Sequence, residues 1–119
     1  MSKRENVLLL DDILQSIKKI HQYTIGIDEG IFLTDEKTQD AVCRNFSIIG
    51  EAASRLSEDF KIQYTQINWR IIKDFRNKII HDYIGTDYRE VWKTVQKDLP
   101  NLEQQIEAIL TLLQSSNAD

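Results

Sequence analysis

Apolar residues return every three or four positions along almost the whole chain, and that spacing permits little besides helices packed side by side. Val7, Leu10, Leu14 and Ile17 set the pattern, Ile13 and Ile20 widen it, and together they predict an amphipathic helix over about 4–24. "IGIDEGIFLT" interrupts the pattern with Gly26 and Gly30. A second helix is expected to start at Thr34 as N-cap, with Asp35 and Glu36 in the dipole-favoured first turn. It would run to about Leu56 with Val42, Phe46, Ile49, Ala53 and Leu56 on its core face. "SEDFKIQYTQIN" reads as a connection with room for one helical turn. Asn68 can cap a third helix that Gly85 would stop. Thr86 or Asp87 opens a fourth helix carrying Tyr88, Val91, Val95 and Leu99, which Pro100 should break or kink. A last helix follows through Leu102, Ile106, Ile109 and Leu113 and should fray in "QSSNAD". With four glycines, one proline and no period-two stretch, the expected architecture is an all-α antiparallel bundle of four to five helices.

The 119 residues suit a single domain over 1–119, with no internal repeat, low-complexity segment or linker. The only early apolar run is four residues long and ends at two aspartates, so neither a signal peptide nor a membrane span is expected, and a cytoplasmic location follows. Cys43, the single cysteine, excludes an internal disulfide and a cysteine-based metal site. A net charge of −4 argues against a protein that coats nucleic acid by charge alone, yet permits one local RNA-binding site. No Walker motif, dinucleotide fingerprint, HExxH or nucleophile elbow is present, so no cofactor and no metal site are expected.

"RNKIIHDY", Arg76 to Tyr83, breaks the apolar logic. At about 100° per residue, Arg76 falls among Trp69, Ile72, Ile79 and Ile80, and a guanidinium is rarely buried without a partner. Tyr83 lies almost directly above it, while Asn77 and His81 share a neighbouring line of the same helix. Arginine and histidine together suit a phosphodiester. The guanidinium offers phosphate a fixed, permanently charged fork, and the imidazole can move a proton near neutral pH. Spacing alone proves little, because R-x-x-x-x-H recurs by chance in roughly one chain in four of this length, and about one in seventy with the tyrosine added. Arg76 could equally be held by a carboxylate, or lay its stem on Trp69. Glu51 lies with Arg44, Ser47 and Arg55 on the polar face of the second helix, where solvation is the favoured expectation over a bond to Arg76. Asn45 sits in that helix's apolar arc and needs a hydrogen-bond partner if buried. His21 has no companion ligands and reads as structural.

"RNKIIHDY" resembles the R-x-x-x-x-H-x-Y signature of HepT-like toxins, the HEPN half of HEPN–MNT toxin–antitoxin pairs. "DILQSIKKIHQYT", "FLTDEKTQDAVCRNFSIIGEAASRLS", "INWRIIKDFRNKIIHDY" and "VWKTVQKDLPNL" resemble the same family in the same order, from about Leu9 to Leu113. Asn68 stands where the family usually has proline, which touches the start of the third helix and not the chemistry.

The resemblance implies a homodimeric helical bundle acting as a metal-independent endoribonuclease, with Arg76 and His81 as its motif residues. It further implies a minimal nucleotidyltransferase antitoxin that adenylylates Tyr83, and an RNA substrate. Asn77 would orient the ring or the phosphate. On this reading the arc around Arg76 leads to a dimer seam. Two readings compete: a non-catalytic acceptor or docking subunit of a nucleotidyltransferase, and a structural dimer in which Arg76 makes an interface salt bridge.

Overall fold

The first helix, α1, covers Lys3–Thr24. In the computed structural model, which describes residues 3–73, 76 and 86–117, it lies against α3 (Glu36–Arg55) along most of its length and against α7 (Leu99–Asn117) on another side. The spacing that predicts these helices also makes the core. Leu10, Ile13, Ile17 and Ile20 of α1 meet Val42, Phe46 and Ile49 of α3, with Ile106 and Ile109 of α7 closing the layer, all buried. Each such side chain contributes about 1.5–3 kcal/mol by leaving water. Every described regular element is helical, so the all-α expectation holds.

Between α1 and α3 the chain turns at Gly26, whose φ of 80° is left-handed and suits a residue without Cβ. A four-residue helix, α2 (Glu29–Phe32), follows where the sequence pattern gave only a break. Asp28 starts it by accepting the Ile31 N–H at 2.8 Å, and the fully buried Phe32 pins it to the core. Gln39, buried in α3, donates its side-chain amide to the Phe32 carbonyl at 2.8 Å and ties the two helices together.

The N-cap of α3 is Asp35 and not Thr34. The Asp35 carboxylate accepts both the Thr38 N–H, at 3.2 Å, and the Thr38 hydroxyl, at 2.6 Å. Those bonds, the hydroxyl first, hold its pKa below the usual aspartate value. Thr34 instead donates its hydroxyl to the Ile31 carbonyl. The carboxylate wins because it can accept two donors and offset the helix dipole as well.

The connection after α3 holds α4 (Glu58–Gln63), capped by Ser57. The next helix, α5, is helical over 69–73 and at Arg76. Further on, α6 (Tyr88–Lys93) begins at its cap Asp87, one of the two expected starts. Pro100 does not break the chain. A π-helical segment, Thr94–Asp98, links α6 directly to α7, and Leu99 N–H bonds to the Thr94 carbonyl five residues back. Proline has no N–H to give, and its ring crowds the carbonyl four residues before it. Widening the preceding turn relieves that crowding without ending the helix. At the far end α7 continues through Asn117, so "QSSN" is helical and not frayed.

Candidate functional site

Asn68 sets the start of α5 by accepting the Ile71 N–H on its side-chain oxygen at 3.1 Å. The Trp69 indole donates to the Tyr64 carbonyl at 3.1 Å, and its ring packs 6.3 Å from that of Phe60. These contacts fix the direction of α5 against the α4 side of the bundle. Two turns on, Arg76 projects from the same arc as Trp69 and Ile72, and all three are half-buried.

Arg76 meets α3 at Gly50 and Glu51. A Cβ on Gly50 would lie 2.6 Å from the Arg76 Cγ and closer still to its Cβ and Cδ, so only glycine leaves room for the stem. Beyond this notch, Nη2 of Arg76 donates to Glu51 Oε2 at 2.8 Å, with 25% of the arginine side chain and 52% of the glutamate side chain exposed. Arg55 reaches the other carboxylate oxygen, Oε1, at 3.9 Å. The Arg76 Nε is buried without a hydrogen-bond partner among the described residues. Glu51 therefore orients one guanidinium and partly offsets a second, and the Nε of the motif arginine keeps donor capacity that no described residue takes up.

This pair lies in a cleft of about 390 Å³ lined by Leu9 and Asp12 of α1, by Arg44, Ser47 and Ile48 among others of α3, and by Arg76. Three guanidiniums face two carboxylates there, which reverses the sign of the chain as a whole. Chemically the cleft can take an anion of phosphate size through planar forks while its apolar wall contacts a sugar or base.

Of the four motif residues singled out from sequence, Arg76 is the one described. Asn77, His81 and Tyr83 lie outside the described residues. The expectation that Glu51 is merely solvated is overturned: it is exposed and also holds Arg76. The preference failed because the pair joins residues 25 apart, beyond anything helical spacing on one element can register. Gly50 was missed, although a glycine inside a strong helical pattern signals close packing. Asn45 is buried as its position implied; its amide donates to the Ala41 carbonyl at 2.9 Å while its Oδ1 has no partner among the described residues. His21 is exposed in the last turn of α1. Among the described residues no group of three or more His, Cys, Asp and Glu could hold a metal ion, and no helix is long and apolar enough to cross a membrane.

Comparison with known proteins gives the cleft its context. The family described as "Ribonuclease HepT-like" matches residues 13–109. The "Probable ribonuclease HepT" of Thermococcus cleftensis is 42% identical over 90% of this chain and 97% of its own. Two Methanocaldococcus jannaschii proteins bearing RNase designations are 39% and 35% identical, each over 92% of this chain and 91% and 100% of their own lengths. No solved structure matches. The chain belongs to the ribonuclease HepT-like family, and its enzyme class is that of a ribonuclease.

Proposed function

We propose that this protein is a metal-independent endoribonuclease toxin of a toxin–antitoxin pair, working in the cytoplasm as a homodimer of one-domain chains. Arg76 and His81 of the two protomers face one RNA cleft. The observation that carries this reading is the setting of Arg76: a half-buried guanidinium, aimed by Glu51 and seated against Gly50, at the edge of an arginine-rich cleft in a chain of ribonuclease descent.

The reaction uses the substrate's own 2′-oxygen. One neutral His81 takes the 2′-hydroxyl proton as the oxygen bonds to phosphorus. The protonated His81 of the other protomer gives its proton to the departing 5′-oxygen as the P–O5′ bond breaks. The products are a 2′,3′-cyclic phosphate and a 5′-hydroxyl, and each histidine ends in the state in which the other began. Arg76 stabilises the charge that gathers on the non-bridging oxygens, and Asn77 orients the ring or the phosphate. A partner nucleotidyltransferase silences the enzyme by adenylylating Tyr83, which follows Arg76 in the same motif. The added AMP fills the cleft and occupies the guanidiniums with its own phosphate.

The test incubates purified protein with total RNA and EDTA beside Arg76→Ala and His81→Ala. Cleavage by the wild type that falls by about 10²–10⁴ in both variants is expected. Cleavage that survives His81→Ala would refute the assignment of His81, and a wild type that cuts no RNA would leave the docking-subunit reading, which has no need of an imidazole. For the modification, mass spectrometry after incubation with the partner and ATP should find the adenylyl group on Tyr83; finding it on Tyr23, Tyr64 or Tyr88 instead would overturn that half.

A further inference from the structure

Of the three arginines that line the cleft, two share one carboxylate and the third does not. Arg76 bonds to Glu51, and Arg55 approaches the same group at 3.9 Å. Arg44 is exposed, lines the cleft, and has no ion-pair or hydrogen-bond partner among the described residues. Ser47, half-buried and three residues on, lies next to it on the same face of α3. A cation without a described partner, lining a cleft whose other two cations share Glu51, is the most available anion ligand there.

We infer that Arg44 and Ser47 form a subsite for an RNA phosphate flanking the one at Arg76. The inference rests on the reading of Arg76 as the ligand of the scissile phosphate. Arg44, Ser47, Glu51 and Arg55 follow one another at steps of three and four, so they form a single stripe with about 16 Å of helical rise from end to end. Such a stripe spans more than one phosphodiester of an extended strand.

The chemistry favours RNA backbone over a protein surface. The cleft presents arginine forks, which match phosphate oxygens in two-point fashion, and a serine hydroxyl, a common neutral phosphate donor. Leu9 and Ile48 add an apolar wall beside the stripe, suited to the sugar and base edge of a splayed nucleotide. Glu51 sits between the Arg44–Ser47 end and Arg55 along the stripe and repels phosphate locally. It thereby separates the flanking subsite from the position at Arg76 and sets the register of the strand.

The experiment compares wild type, Arg44→Ala and Ser47→Ala on two substrates: a single-stranded RNA oligonucleotide and a dinucleotide with one phosphodiester. Arg44→Ala should lower kcat/KM for the oligonucleotide about tenfold relative to that for the dinucleotide, mainly through KM, with a smaller change for Ser47→Ala. In a His81→Ala background, which leaves RNA uncut, the slope of log affinity against log salt should fall by about 0.7 when Arg44 becomes Ala, one phosphate contact fewer. Equal losses on both substrates, or an unchanged salt slope, would overturn the subsite. So would an Arg44→Ala protein that handles RNA normally but no longer binds the nucleotidyltransferase, because the stripe would then be a protein-docking face. A wild type that binds RNA with an Arg44-dependent slope yet cuts none would refute the nuclease reading and leave the subsite standing.

Discussion

Helix α3 carries two stripes with nearly the same spacing and opposite chemistry. Val42, Phe46, Ile49 and Ala53 are buried in the core. Arg44, Ser47, Glu51 and Arg55 line the cleft beside Arg76. The first stripe is interchangeable hydrocarbon whose worth is area removed from water. The second works through charge, fork geometry and one missing Cβ. Stability should therefore be concentrated on one side of the helix and activity on the other, and substitutions can test how cleanly the two separate.

The largest stability effect should come from the apolar stripe. Ile49→Ala removes a side chain only 2% exposed and should cost about 2–5 kcal/mol in denaturant unfolding. Arg44→Ala, one helix face away, should stay within about 0.5 kcal/mol. A comparable loss at Arg44 would mean that the polar stripe is structural after all.

Gly50→Ala lies where the stripes meet. Alanine gains about 1 kcal/mol of helix propensity, but its Cβ overlaps the Arg76 stem, whose own Cβ is fixed to α5 and cannot swing away; that crowding costs about 1–3 kcal/mol. The expected result is a modest net loss of stability with a larger loss of RNA cleavage, because α5 and its arginine are pushed off α3. Unchanged activity would show that the close approach has no part in the site.

The smallest effect belongs to Cys43, next to the apolar stripe. Burial, with a lesser contribution from Asp40, pushes its thiol up to about 11 from an ordinary 9.0. The native state thus holds the proton more tightly than the unfolded chain, so this contribution to stability is present below pH 9.0 and is lost as pH rises through about 11. Alkylation by iodoacetamide should be slow at about pH 8 and reach half its limiting rate near 11. An inflection at the ordinary thiol value would mean that this side of α3 is more open than its packing implies.

Much of this arrangement is legible in the bare sequence. The long helices α1, α3 and α7 announce themselves because burial repeats along each of them, and Leu10, Val42, Phe46, Ile49, Ile106 and Ile109 fall in the core as the spacing demands. Short-range competition is harder to read. Asp35 displaces Thr34 as cap by offering two acceptors, α2 is too brief to show a period, and Pro100 passes because a π turn precedes it. At the site, Arg76 stood out as a charge inside an apolar arc. Its partner did not, because which helix faces it depends on the tertiary crossing at Gly50 and not on either helix alone.

Whether the Arg76–Glu51 pair serves chemistry or only ties α5 to α3 is decided most directly by Arg76→Lys, with RNA cleavage rate and unfolding midpoint measured on the same preparation. Lysine keeps the charge and can still reach a carboxylate, but it lacks the planar fork that grips two phosphate oxygens. Stability should change by no more than about 1 kcal/mol, as befits a partly exposed pair, while the single-turnover cleavage rate falls about a hundredfold. An Arg76→Lys enzyme that cleaves RNA at the wild-type rate would contradict the account, because a tethering charge would then be all that the position requires.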